Sequence, residues 1–423
     1  MAGCMAHSPT VRRPPPHARL SWHLFVMCLL CLTSPRSAAA QETATVAISL
    51  PAALQVTERA APDVLVAAAR ATSARAEVAV AGMFPNPRLT MGAASGSAVV
   101  YGNLFIALPL FGQRRTAMEA AGAQARVVAA GVDVARLDAR LAVTLAWIDL
   151  WLMTGQAQIA RDNAARRERL LETARVRFDE GGAPRLEVLR LDTDARRARA
   201  EVAALDGQQA AAAARLAVLL GQPATQLLEA QGEPRSVSSP PVLAGLEALV
   251  VDHPVVRRAQ ALLGVADAIV VRERRARWPL IGVQVGANLF ERQPPPANDF
   301  SVALSMDLPF FSAPLVTRAE ASRGAARVEF DALLAQLRAA LVSARAEYLA
   351  TELRYAAQVE EVLPAAREAA DLAAEAYRSG GLDLTGTLAA EQVLSDTRLA
   401  VVRATADRGR ALGLFEHAAG RML

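Results

Sequence analysis

Leu108-Pro109-Leu110-Phe111 returns later in the chain as Leu308-Pro309-Phe310-Phe311. Arg177-Phe178-Asp179-Glu180-Gly181-Gly182 returns as Ala376-Tyr377-Arg378-Ser379-Gly380-Gly381, and Phe84-Pro85 returns as Trp278-Pro279. Three landmarks recurring in one order, each after roughly 200 residues, make the chain two tandem copies of one unit. Each copy reads as medium helix, two strands, very long helix, glycine turn, medium helix. The predicted helices span 60–84, 113–178 and 185–220 in copy one, and 254–277, 314–378 and 385–419 in copy two. Gln222 to Pro241, with Ser238-Ser239-Pro240-Pro241, reads as a linker between them.

The long helices keep a heptad period. Phe330, Leu334, Leu337, Leu341, Ala344, Tyr348, Tyr355, Val359 and Val362 advance by fours and threes or a full heptad, as do Val134, Leu137, Leu141, Leu145, Ile148 and Leu152. Such a period predicts lateral packing as coiled coils. At 1.5 Å per residue, about 65 residues reach roughly 100 Å, the length of two medium helices stacked end to end. Pro364 falls inside the second long helix, where it predicts a kink.

Between the first medium helix and the long one the period drops to two. Phe300, Val302, Leu304, Met306 and Leu308 alternate with Ser301, Ala303, Ser305 and Asp307. Ile281, Val283, Val285, Ala287 and Leu289 alternate with Gly282, Gln284, Gly286 and Asn288; Leu89, Met91, Ala93, Leu104 and Ile106 repeat the pattern more weakly. One apolar and one small or polar face suit strands of a membrane barrel. Four strands cannot close one, and open edges are not tolerated in lipid, so the strands must be pooled with those of identical chains. A lone slab of helices with apolar flanks makes the same demand.

Composition agrees. Hydrophobic residues, much of them alanine, make up 53% of the 423 residues, aromatics only 4% and charged residues 21%. That suits long thin helical layers, not a broad aromatic-filled core. The net charge of +4 is carried without aromatic interleaving, which gives a nucleic-acid role no support. Every basic residue is arginine.

Arg12, Arg13 and Arg19 precede the apolar run Leu24 to Leu32, and Ala38-Ala39-Ala40 offers small residues before Gln41. Residues 1–40 therefore read as a cleaved export signal, since the run is too short to span a bilayer. Cys4, Cys28 and Cys31 all precede the cut, so the mature chain is expected to hold no disulfide, no thiolate metal site and no acyl anchor. The remaining divisions are an N-terminal lead at 41–57, a first repeat at 58–221, a linker at 222–245 and a second repeat at 246–423. His253 and His417 stand at helix ends without a third ligand, and no nucleophile elbow or phosphate loop is present. No enzyme site, metal site or cofactor is expected.

Taken together, Phe84-Pro85-Asn86-Pro87, Leu108-Pro109-Leu110-Phe111-Gly112 and the two glycine turns resemble the TolC-type outer-membrane efflux family over nearly the whole mature sequence. The resemblance implies a mainly α trimer whose chains share a 12-stranded barrel in the outer membrane and a helical tunnel in the periplasm. It also implies a periplasmic adaptor and an inner-membrane pump, of the resistance-nodulation-division type, as partners. Leu110-Phe111-Gly112-Gln113-Arg114-Arg115 and the stretch from Trp147 to Trp151 look most like the heavy-metal branch, similar to cobalt–zinc–cadmium ducts. The expected function is passive passage of small cargo, heavy-metal cations on this resemblance. A drug-efflux or protein-secretion duct is the alternative. A periplasmic adaptor would need β-rich flanking domains that the sequence lacks.

The working parts expected from this reading are the turns. Gly181, Gly182, Ala183 and Pro184 form one tip, and Gly380, Gly381, Leu382 and Asp383 the other, as adaptor contacts; Gly381-Leu382 is similar to the family's contact motif. Arg185, Glu187 and Glu391, with Asp383, are candidates for a charged constriction. The family often carries aspartates just after the second turn; Gly386 and Ala389 stand there instead.

Overall fold

A computed structural model describes residues 45–94, 99–237, 241–290, 300–378 and 381–423. The export signal with its three cysteines, the cut after Ala40, the Ser238–Pro240 part of the linker and Gly380 lie outside the described residues.

Strand β1 (Val46–Ser49) leads into helix α1 (Leu50–Ala60) and helix α2 (Pro62–Ala81). Strands β2 (Arg88–Ala94) and β3 (Val99–Leu108) follow, then α3 (Gln113–Asp179), the turn, and α4 (Arg185–Leu219). Strand β4 (Leu228–Gln231) and helix α5 (Leu243–Val251) lead to α6 (Pro254–Arg275), strands β5 (Leu280–Phe290) and β6 (Phe300–Asp307), and α7 (Ala313–Ala356). A π-helical stretch at Ala357–Val362, α8 (Leu363–Arg378) and α9 (Leu384–Ala419) complete the chain. The duplicated order is therefore present in three dimensions.

Helix α3 runs unbroken for 67 residues, roughly 100 Å. It lies against α2, α4, α6 and α9, while α7 lies against α6 and α9. The slab thus reads, across its width, as α2 with α4, then α3, then α6 with α9, then α7 with α8. The shorter helices meet end to end at mid-height. Gly221, with φ of +71° beyond the end of α4, sits so close to Ala60 that an added Cβ would lie 2.5 Å from its carbonyl oxygen. Gly420, with φ of +73°, ends α9 against the His253 ring that begins α6. His253 Nδ1 accepts from the Val255 amide at 3.2 Å, so the imidazole caps α6, while Nε2 bonds the His417 carbonyl at 3.1 Å.

Three expectations need correction. The lead at 41–57 holds a helix that was not expected: α1 ends at an extended Ala61, and Pro62 then opens α2 where the helix of 60–84 was expected to start. The lead and linker carry elements that alternation did not reveal, because β1 and β4 pair in parallel across the chain, Val46 with Leu228 through Ser49 with Gln231. The second long helix is interrupted, and its heptad does not persist to its end. Pro364 has no N–H and its ring crowds the carbonyl four residues back, and the turn just above it is wound as a π-helix. The register is reset there: Leu341 and Tyr348 are buried, Val362 is exposed, and burial resumes on Ala366, Ala370 and Ala373.

Two cores hold the middle of the slab. Ile48, Leu50 and Ala53 pack on Val143, Trp147 and Leu150 of α3, Leu216 of α4 and Leu228 of β4. Trp147 is fully buried and its Nε1 donates to the Ile48 carbonyl at 2.9 Å. Leu249 and Val250 pack on Leu341 and Tyr348 of α7 and Leu412 and Phe415 of α9. The Tyr348 hydroxyl donates to the Val237 carbonyl at 3.1 Å and accepts from the Val237 amide at 2.9 Å. Burial pushes the Tyr348 phenol above its ordinary pKa, which keeps that donor protonated.

Candidate functional site

The four strands of the two copies form one antiparallel sheet in the order β2-β3-β5-β6. Its register sets the faces. Leu89 pairs with Leu104, Leu104 with Val285 and Val285 with Val302, so the apolar residues of all four strands share a face. Thr90 pairs with Asn103, Asn103 with Gly286 and Gly286 with Ser301, so the other face is mostly polar or small, with the Tyr101 and Phe105 rings of β3 as its two large side chains. Glycines sit on that second face where a neighbour's side chain lies over the backbone: Gly92 under Tyr101, Gly282 under Phe105 and Ser305, Gly286 under Asn103. On the apolar face Gly102 has nothing within 4 Å of a would-be Cβ.

The sheet is unfinished. Strands β2 and β6 each pair on one side only, and every residue of β6 is exposed. Leu304 shows 78% and Phe300 81% of its surface to solvent. Open edges can pair with further strands, and an uncovered apolar face marks a surface that is buried against something outside the single chain. No helix of the described residues is long and apolar enough to cross a membrane.

Aromatic residues stand at the strand–helix junctions. Phe84 precedes β2, Phe111 follows β3, Trp278 precedes β5, and Phe310 and Phe311 follow β6. Phe111 stacks on Trp278 with centroids 5.5 Å apart. Gln113 ties the copies together there, donating to the Trp278 carbonyl at 3.3 Å and the Pro279 carbonyl at 3.1 Å.

At the other end of the helices lie the turns. Gly181 takes φ of +77°. Its amide donates to the Phe178 carbonyl at 2.9 Å and the Gly182 amide to the Arg177 carbonyl at 2.7 Å, a Schellman pair that explains the glycine at 181. Ala183 is half-buried, and Pro184 is the N-cap of α4. In the second turn the Gly381 amide donates to the Ala376 carbonyl at 2.8 Å. Asp383 caps α9, its Oδ1 accepting from the Gly386 amide at 2.9 Å. Half-buried Leu382 folds back over Gly386, where an added Cβ would lie 2.9 Å from Leu382 Cδ1.

The two turns are brought together. Leu384 and Leu388 of α9 pack on a cluster of Leu171, Ala174, Leu191 and Ala195 from copy one. The charged candidates are not brought together. Arg185 is exposed, and Glu187 is half-buried with its Oε1 shielded from solvent and unpartnered. Glu391 lies beside Arg166 of α3, whose pKa is lowered by burial first and by Arg398, with Glu391 and Asp162 opposing. Among the described residues no hydrogen bond or ion pair joins Arg185, Glu187 and Glu391. Sequence reading missed the polar seam just above the turns, where Asn163 donates to Ser395 at 2.5 Å and Arg167 to Gln392 at 3.3 Å. Its signal was available: polar residues on helices otherwise facing each other through alanine. Asp192 of the first hairpin is held below the usual carboxylate range by its hydrogen bond from Arg196. Among the described residues no three His, Cys, Asp or Glu side chains are grouped to hold a metal ion.

No curated protein matches the chain by sequence. Solved structures do match by fold. The chain is similar to CusC, from crystal structures of its folding and transmembrane channel formation, with a TM-score of 0.72 at 18% identity over 88% of this chain and 92% of that one. It is similar to the outer-membrane channel OprN, with a TM-score of 0.70 at 22% identity, covering 88% of this chain and 89% of that one. The open-state MtrE outer membrane channel of Neisseria gonorrhoeae gives a TM-score of 0.68 at 18% identity, covering 88% and 89%. Residues 53–222 match the sequence model of the outer membrane efflux protein family. The chain therefore has the fold of outer-membrane channels, and its first repeat carries the outer membrane efflux family's sequence pattern.

Proposed function

We propose that this chain is the outer-membrane exit duct of a tripartite efflux system. Three copies pool four strands each into a closed 12-stranded barrel, and their slabs close into a tunnel through the periplasm. The observation that carries this reading is the unfinished sheet, with an apolar face, a polar face and two unpaired edges, set on roughly 100 Å helices. Closure removes both edges and puts the polar face on the lumen. The chain is exported by residues 1–40 and works with a periplasmic adaptor at the turns and an inner-membrane pump. No step of chemistry is needed: the duct supplies width and lining polarity.

The cargo we assign to the duct is divalent heavy-metal cations, on the similarity of Leu110 to Arg115 and Trp147 to Trp151 to the heavy-metal branch. Those residues bear on it indirectly, because Trp147 is a core residue and Gln113 a tie between repeats. Native mass spectrometry and planar-bilayer conductance of the membrane form test the duct, with a conducting trimer expected and a stable single chain refuting it. Deleting the gene tests the cargo. Lost tolerance to zinc, cadmium, cobalt or copper is expected; unchanged metal tolerance with new drug sensitivity assigns the chain to drug efflux.

A further inference from the structure

The repeat builds one cleft twice, just below the strands. In copy one an open cleft of ≈ 650 Å³ lies between the end of α2 and the start of α3, lined by Phe84, Leu110, Arg115, Glu119 and Arg126. In copy two an open cleft of ≈ 530 Å³ lies between the end of α6 and the start of α7, lined by Arg274, Arg277, Trp278, Thr317 and Glu320. Each holds the aromatic ring that precedes a strand, more arginines than carboxylates, and one glutamate. That glutamate is already matched: Arg115 pairs with Glu119 at 2.8 Å and Arg274 with Glu320 at 2.6 Å. Arg114, which also lines the first cleft, is committed to the Gly82 carbonyl and the Phe84 ring. Arg126 and Arg277 remain exposed and without an ion-pair partner among the described residues. Gly122, on the same stripe of α3 as Arg115 and Arg126, leaves the cleft floor open.

We propose that the two clefts bind headgroup phosphates of anionic phospholipids in the leaflet that meets the helices. The inference rests on the sheet spanning the membrane. The upper ends of the clefts, at Phe84, Leu110 and Trp278, then lie at the level where the apolar strand face ends and lipid phosphates begin, with Arg126 deeper along α3. Trp278, whose ring keeps one end dry and its N–H wet, favours that level in the second cleft, and the apolar Phe84 ring lines the first. Uncommitted guanidinium groups beside them match a phosphodiester oxygen pair, as in other basic lipid pockets. The surplus of arginine over glutamate in both clefts selects an anion over a zwitterion.

The test is native mass spectrometry of the full-length membrane form, titrated with phosphatidylglycerol or with phosphatidylcholine of the same acyl chains. Retention of the anionic lipid in preference to the choline lipid is expected, and Arg126→Ala with Arg277→Ala should weaken it roughly tenfold while the trimer mass is unchanged. Equal retention of the two lipids, or undiminished retention by the double variant, overturns the assignment. So does displacement of the lipid by millimolar inorganic phosphate, which would make the clefts sites for the free anion. Conductance of the same preparation separates the two readings. A conducting trimer without lipid preference refutes the clefts alone; a preparation that neither conducts nor enters membranes refutes the duct as well.

Discussion

Leu304 and Ser305 are neighbours on β6 and point to opposite faces of the sheet, so substituting each with arginine tests which face meets lipid. Leu304 pairs with Val283, shares its face with Val302 and Met306, and is 78% exposed in the single chain. It lies four residues from Phe300 and three from Asp307, about 13 and 10 Å at ~3.3 Å per residue, so an arginine there reaches neither end of the strand comfortably. Arginine on the lipid face near mid-membrane costs about 2–4 kcal/mol per copy, hence about 6–12 kcal/mol for three copies in one barrel. Ser305, paired with Gly282, stands on the face assigned to the lumen, where arginine finds water. The assay is the amount and heat resistance of outer-membrane trimer, followed by ion selectivity in planar bilayers. Leu304→Arg should deplete the trimer severely. Ser305→Arg should assemble and shift selectivity toward anions. If Leu304→Arg assembles like the wild type while Ser305→Arg does not, the faces are reversed and the duct argument fails.

Trp147→Phe should destabilise each protomer by about 1–3 kcal/mol, because it leaves the buried Ile48 carbonyl without its donor; denaturant titration should show this, with metal tolerance changed only in proportion to the amount of protein. His253 is pushed below its ordinary pKa of 6.5 mainly by burial, so the folded state resists its protonation. Its contribution is complete above that value and is lost as pH falls below it toward the lowered folded-state pKa. The wild type should therefore lose more thermal stability than His253→Asn between about pH 7.5 and 5.5, and parallel losses would count against the cap. Leu382→Asp should leave the Asp383 cap and the trimer intact while abolishing efflux if the turn carries an apolar adaptor contact; normal export would reduce that tip to a turn.

What could be read from the sequence was whatever rests on local periodicity. The repeat, the alternating strands and the paired glycines are each set by a few neighbouring residues, and the Schellman pair at the first turn shows why Gly181 is a glycine. What could not be read depends on distant pairing. β1 and β4 are four residues each, lack alternation, and meet only because Leu228 is brought to Val46 across both medium helices of copy one. Trp147 drew notice as a marker of resemblance, yet its role is set by the Ile48 carbonyl 99 residues away. The charged constriction was the least legible, since no hydrogen bond or ion pair joins Arg185, Glu187 and Glu391 among the described residues of one chain.

The two copies have the same parts but not the same helix continuity, and the difference traces to one residue. Helix α3 keeps its hydrogen-bond ladder through 67 residues because no proline interrupts it. In copy two Pro364 removes a donor, and the chain adds a wide turn at Ala357–Val362. That turn resets which residues face α9, from Leu341 and Tyr348 above to Ala366, Ala370 and Ala373 below. Small alanines bring α8 close to its neighbour but bury less apolar surface than leucine or tyrosine does, so α8 is held more weakly than α7. Its turn leans on copy one instead, through Leu384 and Leu388 against Leu171 and Leu191. The lower part of the second hairpin is thus separated from the upper by a local break and joined to the first hairpin by a small cluster.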